Sequence, residues 1–307
     1  MSFTSLLSKM FMLFCFLAVG ILCCKVGYLD DHSRQKLNKL ILNICAPAMV
    51  LNAILTTESS YSVGDILTLL LDAAAFNIIM LLTALLLMLL LFRKNPARRT
   101  YQFMMSFGNS VFMGFAVMAA LYGDEAVFLG SICSIPFNVL SFSVGIMIIS
   151  GKAQNVRQFF KMLLNPAFIA NIVAFLLFLF HVSAPAVVTD TLGYLGDMVI
   201  PLSMMVIGVS LSTMPLKSIF SDWHVYLLCV CKLFISPLVV FLVCRLFIHD
   251  TMFLNIITIS AVMPTASISP ILSSEYGGDV TVASKGVFIT TLCSLVTVPV
   301  MLALLLV

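Results

Sequence analysis

The chain has 307 residues, of which 62% are apolar and 9% are charged, and its formal net charge is +3. A soluble globular domain carries about 25% charged residues, so this composition excludes water as the main solvent of the fold. The apolar residues come in runs of 18 or more, and about 20 such residues cross a bilayer as a helix. Runs such as 66–92 lack the alternation of apolar and polar residues that is typical of a transmembrane β-barrel. The composition therefore predicts an all-α integral membrane protein in contact with the lipid bilayer.

Hydropathy and loop composition predict ten transmembrane helices joined by short connections. They run near residues 5–28, 34–56, 65–92, 101–121, 125–150, 164–182, 187–212, 223–248, 252–273 and 281–305. The first segment could also be a signal peptide, since Lys9 precedes an apolar run. No small-x-small cleavage site follows that run, so we interpret it as span 1.

The lysines and arginines concentrate on one side of these spans. Thirteen of the sixteen lie in connections 1–2, 3–4, 5–6 and 7–8 or beside the 9–10 turn. By the positive-inside rule this side is cytoplasmic, so both termini are expected outside the cytoplasm of a cell (plasma) membrane protein. The basic residues follow the topology rather than a soluble face, so we expect no nucleic-acid partner.

The two halves of the chain resemble each other at a single offset of 154 residues. Tyr122-Gly123 recurs as Tyr276-Gly277, and Pro47 in span 2 recurs as Pro201 in span 7. Each half, 1–150 and 151–307, would hold five spans. An odd number of spans forces the second half to enter the membrane from the opposite side, which predicts two inverted repeats.

Spans 4 and 9 contain helix-breaking residues at equivalent places. Span 4 reads SFGNSVFMGF (106–115) and span 9 reads AVMPTASISPIL (261–272), and the offset places Asn109-Ser110 opposite Met263-Pro264. Backbone freed by a proline at membrane depth survives only inside protein or beside water. We therefore predict two broken helices that cross near the midplane, with half-helix N-termini suited to an anion. Ordinary proline kinks without a ligand are the alternative.

Two ionisable residues lie inside predicted spans, where such groups are costly and often functional. Asp72 in span 3 could accept a proton or support a ligand electrostatically, or it could simply reach the outer interface. Lys232 in span 8 could attract an anionic substrate or neutralise Asp72. The sequence slightly favours the ion pair, because a buried unpaired ammonium tends to lose its proton.

Further polar residues accompany the prolines. Asn43 and Asp197 are related by the same offset, each four residues before its proline, and either line a cavity or cap the kink. Asn138 in span 5 either faces the crossing or holds helices together. No cysteine or histidine pair has metal-ligand spacing, and no catalytic cluster is visible, so we expect no metal, no cofactor and no enzymatic activity.

The ordered motifs resemble the auxin efflux carrier family. The matching pieces are LNICAPAMVLNAIL (42–55), GNSVFMGFAVMAALYGDEA (108–126), Pro201 with Gly208, and MPTASISPILSSEYGGD (263–279). The resemblance implies a scaffold of spans 1, 2, 6 and 7, often dimeric, and a moving core of spans 3–5 and 8–10. It also implies a ligand at the span 4/9 crossing. Unlike the sodium-coupled relatives of this fold, span 9 has no carboxylate in its polar part.

The leading hypothesis is a secondary transporter of a small organic anion, such as malate, malonate or an auxin-like acid, that works by alternating access. A cation or proton-coupled antiporter of the same fold is the alternative. The candidate substrate-binding residues are Asn109, Ser110, Pro264, Thr265, Ser267, Asn138 and Asn43. The candidate coupling or electrostatic residues are Asp72, Asp197 and Lys232.

Overall fold

The computed structural model describes residues 3–56, 61–152, 166–180, 182, 184–213 and 222–306. Within these ranges the regular structure is helical, apart from one isolated β-bridge. The α-helices are, in chain order, α1 (Phe3–Val26), α2 (Asp31–Leu40), α3 (Ala46–Thr56), α4 (Val63–Leu87), α5 (Arg98–Ser106), α6 (Phe115–Tyr122), α7 (Asp124–Leu140), α8 (Ile146–Ser150), α9 (Pro166–Leu179), α10 (Ala186–Asp197), α11 (Val199–Thr213), α12 (Trp223–Val230), α13 (Ser236–Cys244), α14 (Thr251–Val262), α15 (Ser269–Tyr276) and α16 (Val280–Leu305). The start of predicted span 6 and the basic residues Arg157, Lys161 and Lys217 lie outside the described residues.

Five π-helical turns join or extend these helices in the described ranges. They are Ile41–Cys45, Met88–Phe92, Ser110–Gly114, Ser141–Gly145 and Cys231–Ile235. A π-helical turn inserts an extra residue into a helix and rotates the side chains that follow it. Helices that hydropathy treats as uniform therefore change the direction of their side chains part-way along.

Within the described residues, six helices are long and apolar enough to cross a membrane by length and composition. They are Asp31–Thr56, Gly64–Phe92, Asp124–Ser150, Ala186–Ser212, Trp223–Cys244 and Val280–Leu305, and they correspond to predicted spans 2, 3, 5, 7, 8 and 10. Shorter apolar helices occupy the other predicted spans: Phe11–Val26, Phe112–Tyr122, Phe168–Leu179 and Thr251–Val262. The prediction of a multi-spanning helical protein is confirmed, whereas the total of ten spans stays a prediction.

Aspartates begin several helices because a carboxylate can accept the N–H groups that a first helical turn leaves free. Asp30 accepts from the Ser33 N–H at 2.7 Å, and Asp250 accepts from the Phe253 N–H at the same distance. The Ser33 N–H also lowers the pKa of the exposed Asp30 carboxyl. Several of the aspartates in this chain thus cap the first turns of helices.

The chain divides into two compact units. The first comprises Met1–Leu70, Val111–Ile135 and Leu164–Met214, and the second comprises Leu71–Ser110, Pro136–Leu163 and Pro215–Val307. Each unit takes segments from both halves of the sequence, and several borders fall inside predicted spans. The repeats 1–150 and 151–307, and the division into scaffold and core, stay predictions.

The first unit is organised by close packing of α1 against α11. A Cβ on Gly20 would overlap the backbone of Met205, and a Cβ on Gly208 would overlap the backbone of Leu17. Small residues allow such close approach between apolar helices, where no water is displaced to drive association. A buried hydrogen bond of 2.7 Å from Asn171 Nδ2 to Ser134 Oγ adds a polar contact inside this unit.

The second unit surrounds α16, which contacts α5, α12, α14 and α15. Apolar side chains from these helices fill the space, including the fully buried Tyr101, Phe103 and Leu228. The unit therefore places the residues of predicted span 10 beside the ends of α5 and α14, where the predicted breaks lie.

Helices α6 and α15 have matching positions in the two halves. Adding 154 to the bounds of α6 gives the bounds of α15. Each helix ends at a glycine with positive φ, 73° at Gly123 and 76° at Gly277, a conformation that favours glycine. The repeated Tyr-Gly motif thus marks the same helix end twice.

We expect Gly208→Ala to destabilise the first unit, because the added methyl group would collide with the α1 backbone. Overpacking of this kind costs about 1–3 kcal/mol. Thermal unfolding of the purified protein in detergent should show a lower midpoint. Gly64→Ala is the matched control, since Gly64 is exposed and an added Cβ would meet only Ser62 Oγ, at 3.6 Å. Equal midpoints for the two variants would contradict this prediction.

Candidate functional site

The two interrupted segments of the second unit pair with each other through their main chains. Gly108 and Thr265 form an antiparallel β-bridge. The Asn109 N–H donates to the Pro264 carbonyl at 2.7 Å, and the Ala266 N–H donates to the Phe107 carbonyl at 3.1 Å. We call residues 107–110 and 263–267 the crossing.

Local sequence explains why both helices stop here. Pro264 has no N–H and forces the preceding residue to extended geometry, and Met263 accordingly has φ −61° and ψ 143°. Phe107 after α5 is also extended, with φ −116° and ψ 120°. Gly108 permits close approach, since a Cβ there would lie 3.3 Å from the Ser260 carbonyl oxygen. Pro264 and Gly108 thus create two short extended segments whose backbone N–H and C=O groups bond to each other.

Side-chain hydrogen bonds stabilise the crossing: one joins its two segments, and two join Thr265 to α5 and α16. Asn109 Nδ2 donates to Ser267 Oγ at 3.1 Å. The Thr265 N–H donates to Thr290 Oγ1 of α16 at 3.3 Å, and the Thr265 hydroxyl donates to the Met104 carbonyl at 3.5 Å. Asn109 and Thr265 are buried, whereas Ser110 and Ser267 keep partial exposure. The structure therefore brings together Asn109, Ser110, Pro264, Thr265 and Ser267, as the sequence suggested.

Lys232 lies directly beside the crossing. Its side chain is fully buried, and its Nζ has no hydrogen-bond partner within the described part of the chain. The Nζ lies 3.4 Å from the position that a Cβ of Gly108 would occupy. Burying an amine without a partner is costly, so an unsatisfied lysine at this place calls for a functional explanation.

The predicted ion pair between Lys232 and Asp72 is not formed among the described residues. Asp72 is half-buried on α4 and interacts electrostatically with His249, after the end of α13. The π-helical turn Cys231–Ile235 carries Lys232 toward the crossing instead. The positions of Asp72 and Lys232 in the sequence do not reveal how the π-helical turn rotates the Lys232 side chain about the helix axis.

The helix ends give the crossing an uneven charge distribution. Helices α5 and α14 end there, and their last carbonyls carry partial negative charge. Helix α15 begins there at Ser269, and its N-terminus carries partial positive charge, while the Ser269 N–H itself donates to the Ala266 carbonyl at 3.0 Å and Pro270 has no N–H. Together with the Lys232 amine, this helix end makes the crossing attractive to an anion.

The other predicted residues lie apart from these contacts. Asn138 is half-buried on α7, and its neighbour Phe137 packs edge-to-face on Phe107 with ring centroids 5.7 Å apart. Asn43 and Asp197 are exposed and belong to the first unit, where α10 packs on the π-helical turn that contains Asn43.

Three residues at the site were not predicted from the sequence. Gly108 lies within the broken motif and could have been found from its position. Thr290 supplies an acceptor for the Thr265 N–H, and Ser236 follows Lys232 by one turn with a buried hydroxyl that has no partner in the described residues. Neither Thr290 nor Ser236 carries a sequence signal that distinguishes it from other helical hydroxyl residues.

We expect Thr290→Val to destabilise the second unit by about 1–3 kcal/mol, because the buried Thr265 N–H would lose its acceptor. Thr297→Val is the matched control on the same helix, since the buried Thr297 Oγ1 has no partner among the described residues. Thermal unfolding in detergent should separate the variants, with a lower midpoint for Thr290→Val alone. A Thr297→Val midpoint as low as that of Thr290→Val would argue against the proposed role of the hydrogen bond.

Comparison with known proteins assigns the chain to a family. The profile of a family described as membrane transport protein matches residues 5–302. An uncharacterized transporter of Methanocaldococcus jannaschii is 24% identical over 288 residues, covering 91% of this chain and 92% of that protein. An uncharacterized transporter of Methanothermobacter thermautotrophicus is 22% identical over 293 residues, covering 92% of each chain. The chain therefore belongs to the membrane transport protein family, the auxin efflux carriers that its motifs resemble, and is a multi-pass membrane transporter rather than an enzyme.

Proposed function

We propose that this transporter is a secondary carrier of a small organic anion, held at the crossing and moved by alternating access. The observation that carries this proposal is the Lys232 amine, which is fully buried beside Gly108 and has no partner in the described residues. A carboxylate at the crossing would supply the missing partner. The proposal favours an anion over a cation, because only an anion would give the buried Lys232 amine a partner and hold it in its charged form.

The crossing offers a carboxylate donors with different strengths. Lys232 would act through its charge, and helix α15 would act through the positive end of its dipole. Ser110 and Ser267 keep partial exposure and would donate directly. Asn109, Pro264 and Thr265 are engaged in the main-chain pairing and would hold the donors in position.

Asn138 and Asn43 are proposed to line the route of the substrate. Asn138 follows Phe137, whose ring packs on Phe107 of the crossing. Asn43 is an exposed amide in a π-helical turn, where side chains are turned away from the regular helical register.

We further propose ten spans arranged as two inverted repeats, with both termini outside the cytoplasm and the protein in the plasma membrane. The equal bounds of α6 and α15 after a shift of 154 residues support the repeat. The excess of basic residues in alternate connections supports the orientation. A homodimer through spans 1, 2, 6 and 7 follows from the family resemblance alone.

The coupling of transport to an ion gradient is proposed to involve the carboxyls of Asp72 and Asp197. Asp72 lies within the apolar helix Gly64–Phe92 and interacts with His249. A carboxyl in such a helix can bind and release a proton during transport. This feature also favours the second candidate function, a proton-coupled antiporter of the same fold.

We expect Lys232→Met to lower the affinity for the transported carboxylate by at least about tenfold, because charged hydrogen bonds contribute about 1.5–3 kcal/mol. The same change should leave the unfolding midpoint unchanged or raise it, because it removes an unpaired buried amine. Uptake of labelled mono- and dicarboxylates into proteoliposomes measures the first effect, and thermal unfolding measures the second.

Lys25→Met is the control for Lys232→Met, since Lys25 is exposed near the end of α1. It should transport carboxylates like the wild type. The anion proposal fails if Lys232→Met transports normally. It also fails if no carboxylate moves while a sodium or pH gradient alone drives flux.

We expect Asp72→Asn to abolish the dependence of carboxylate uptake on an imposed pH gradient while preserving carboxylate binding. The variant keeps the size of the side chain but cannot exchange a proton. Asp190→Asn is the control, since Asp190 is exposed on α10. Uptake that follows the pH gradient in Asp72→Asn as in the wild type would remove Asp72 from the coupling.

A further inference from the structure

A second candidate site lies in the second unit and shares no lining residue with the crossing. It is a cavity of about 350 Å³ where the π-helical turn Met88–Phe92, the start of α5 and the end of α8 meet. Its polar lining includes Arg93, Arg98, Arg99 and Gln102, and its apolar lining includes Leu89 and Met147. We call it the arginine cavity.

The described lining of the arginine cavity carries three positive charges and no negative ones. No carboxylate lines it, and Arg93, Arg98 and Arg99 form no ion pair within the described part of the chain. The three arginines are exposed, so water screens their mutual repulsion, and an anion in the cavity would attract all three. Guanidinium groups bind phosphate oxygens with paired N–H donors, which makes phosphate a suitable anion.

Two contacts hold the arginines around the cavity. Arg98 Nη1 donates to the Arg93 carbonyl at 3.2 Å, which joins the start of α5 to the end of the preceding turn. The Arg99 guanidinium lies over Gly151, where a Cβ would overlap it. Gly151 also has φ 66°, a left-handed conformation that favours glycine. The geometry of Arg99 therefore depends on a glycine at the end of α8.

The cavity lies at the ends of two membrane-spanning helices. Helix Gly64–Phe92 ends immediately before Arg93, and helix Asp124–Ser150 ends immediately before Gly151. About one turn inside these ends, Leu89 is 49% exposed and Met147 is 43% exposed. In a bilayer, arginines at these helix ends would lie at the level of the lipid headgroups, with Leu89 and Met147 at the level of the first acyl carbons.

We propose that the arginine cavity binds the phosphate headgroup of an anionic phospholipid, whose acyl chains cover Leu89 and Met147. Basic pockets between membrane helices bind such headgroups. The apolar part of the lining favours a lipid over a free phosphate, because one lipid molecule can place its phosphate among the arginines and its acyl chains on Leu89 and Met147. The proposal depends on the membrane location of the chain and not on the identity of its cargo.

The test is titration of the purified wild-type transporter with phosphatidylglycerol or with phosphatidylcholine of the same acyl chains, followed by native mass spectrometry. The wild type should bind phosphatidylglycerol more tightly. The double variant Arg93→Gln/Arg99→Gln should lose about fivefold in phosphatidylglycerol affinity for each arginine removed and bind phosphatidylcholine as before. The single variant Arg99→Lys keeps the charge but loses the paired donors, so it should show a smaller loss.

Arg245→Gln is the matched control, because Arg245 lies at the end of α13, where its guanidinium packs over the Phe241 ring outside the cavity. It should keep the preference for phosphatidylglycerol. An equal loss in Arg245→Gln, or an unchanged preference in the double variant, would overturn the site. Inorganic phosphate that bound as tightly as phosphatidylglycerol would overturn the lipid assignment.

Discussion

The fold of the second unit depends on the need to satisfy backbone groups where no water is available. Each unpaired N–H or C=O in hydrocarbon costs several kcal/mol, so spanning segments are normally uninterrupted helices. Here two segments leave the helix at the same place and bond to each other, from Asn109 to Pro264 and from Ala266 to Phe107. Each break alone would be costly, and the pair makes both tolerable. Helix α16 supports the arrangement by supplying Thr290 as a further acceptor.

The sequence predicted the crossing well because its causes are local. Pro264 and Gly108 act through their own backbone geometry, and the offset of 154 residues placed Asn109-Ser110 opposite Met263-Pro264. The observed bridge between Gly108 and Thr265 is antiparallel, so Asn109 bonds to Pro264, one residue after the residue that the offset assigns to it. The environment of Lys232 could not be predicted in the same way, since it depends on the rotation of a helix at a π-helical turn. Neither could the role of Thr290, which has no local signal and acts only through tertiary contact.

The two polar features of the second unit use positive charge differently. Lys232 is a single amine, buried beside main-chain groups with no partner among the described residues, so any ligand that meets it must shed water. The arginine cavity presents three planar donors beside apolar groups at helix ends. The first arrangement suits a small anion that enters and leaves, whereas the second suits a headgroup that stays. Both occur beside π-helical turns, which direct side chains away from the regular helical register.

The bonds across the crossing that join the two broken segments are mainly between backbone atoms. Most side-chain substitutions leave backbone hydrogen bonds intact, so residues around the bridge can change during evolution while the bridge is kept. Ser267 and Ser110 are partly exposed and could change with the substrate, whereas Pro264 shapes the bridge itself and a Cβ at Gly108 would press on the Ser260 carbonyl at 3.3 Å. A single architecture of this kind can therefore diversify into carriers of different substrates by small steps, each of which leaves the protein folded.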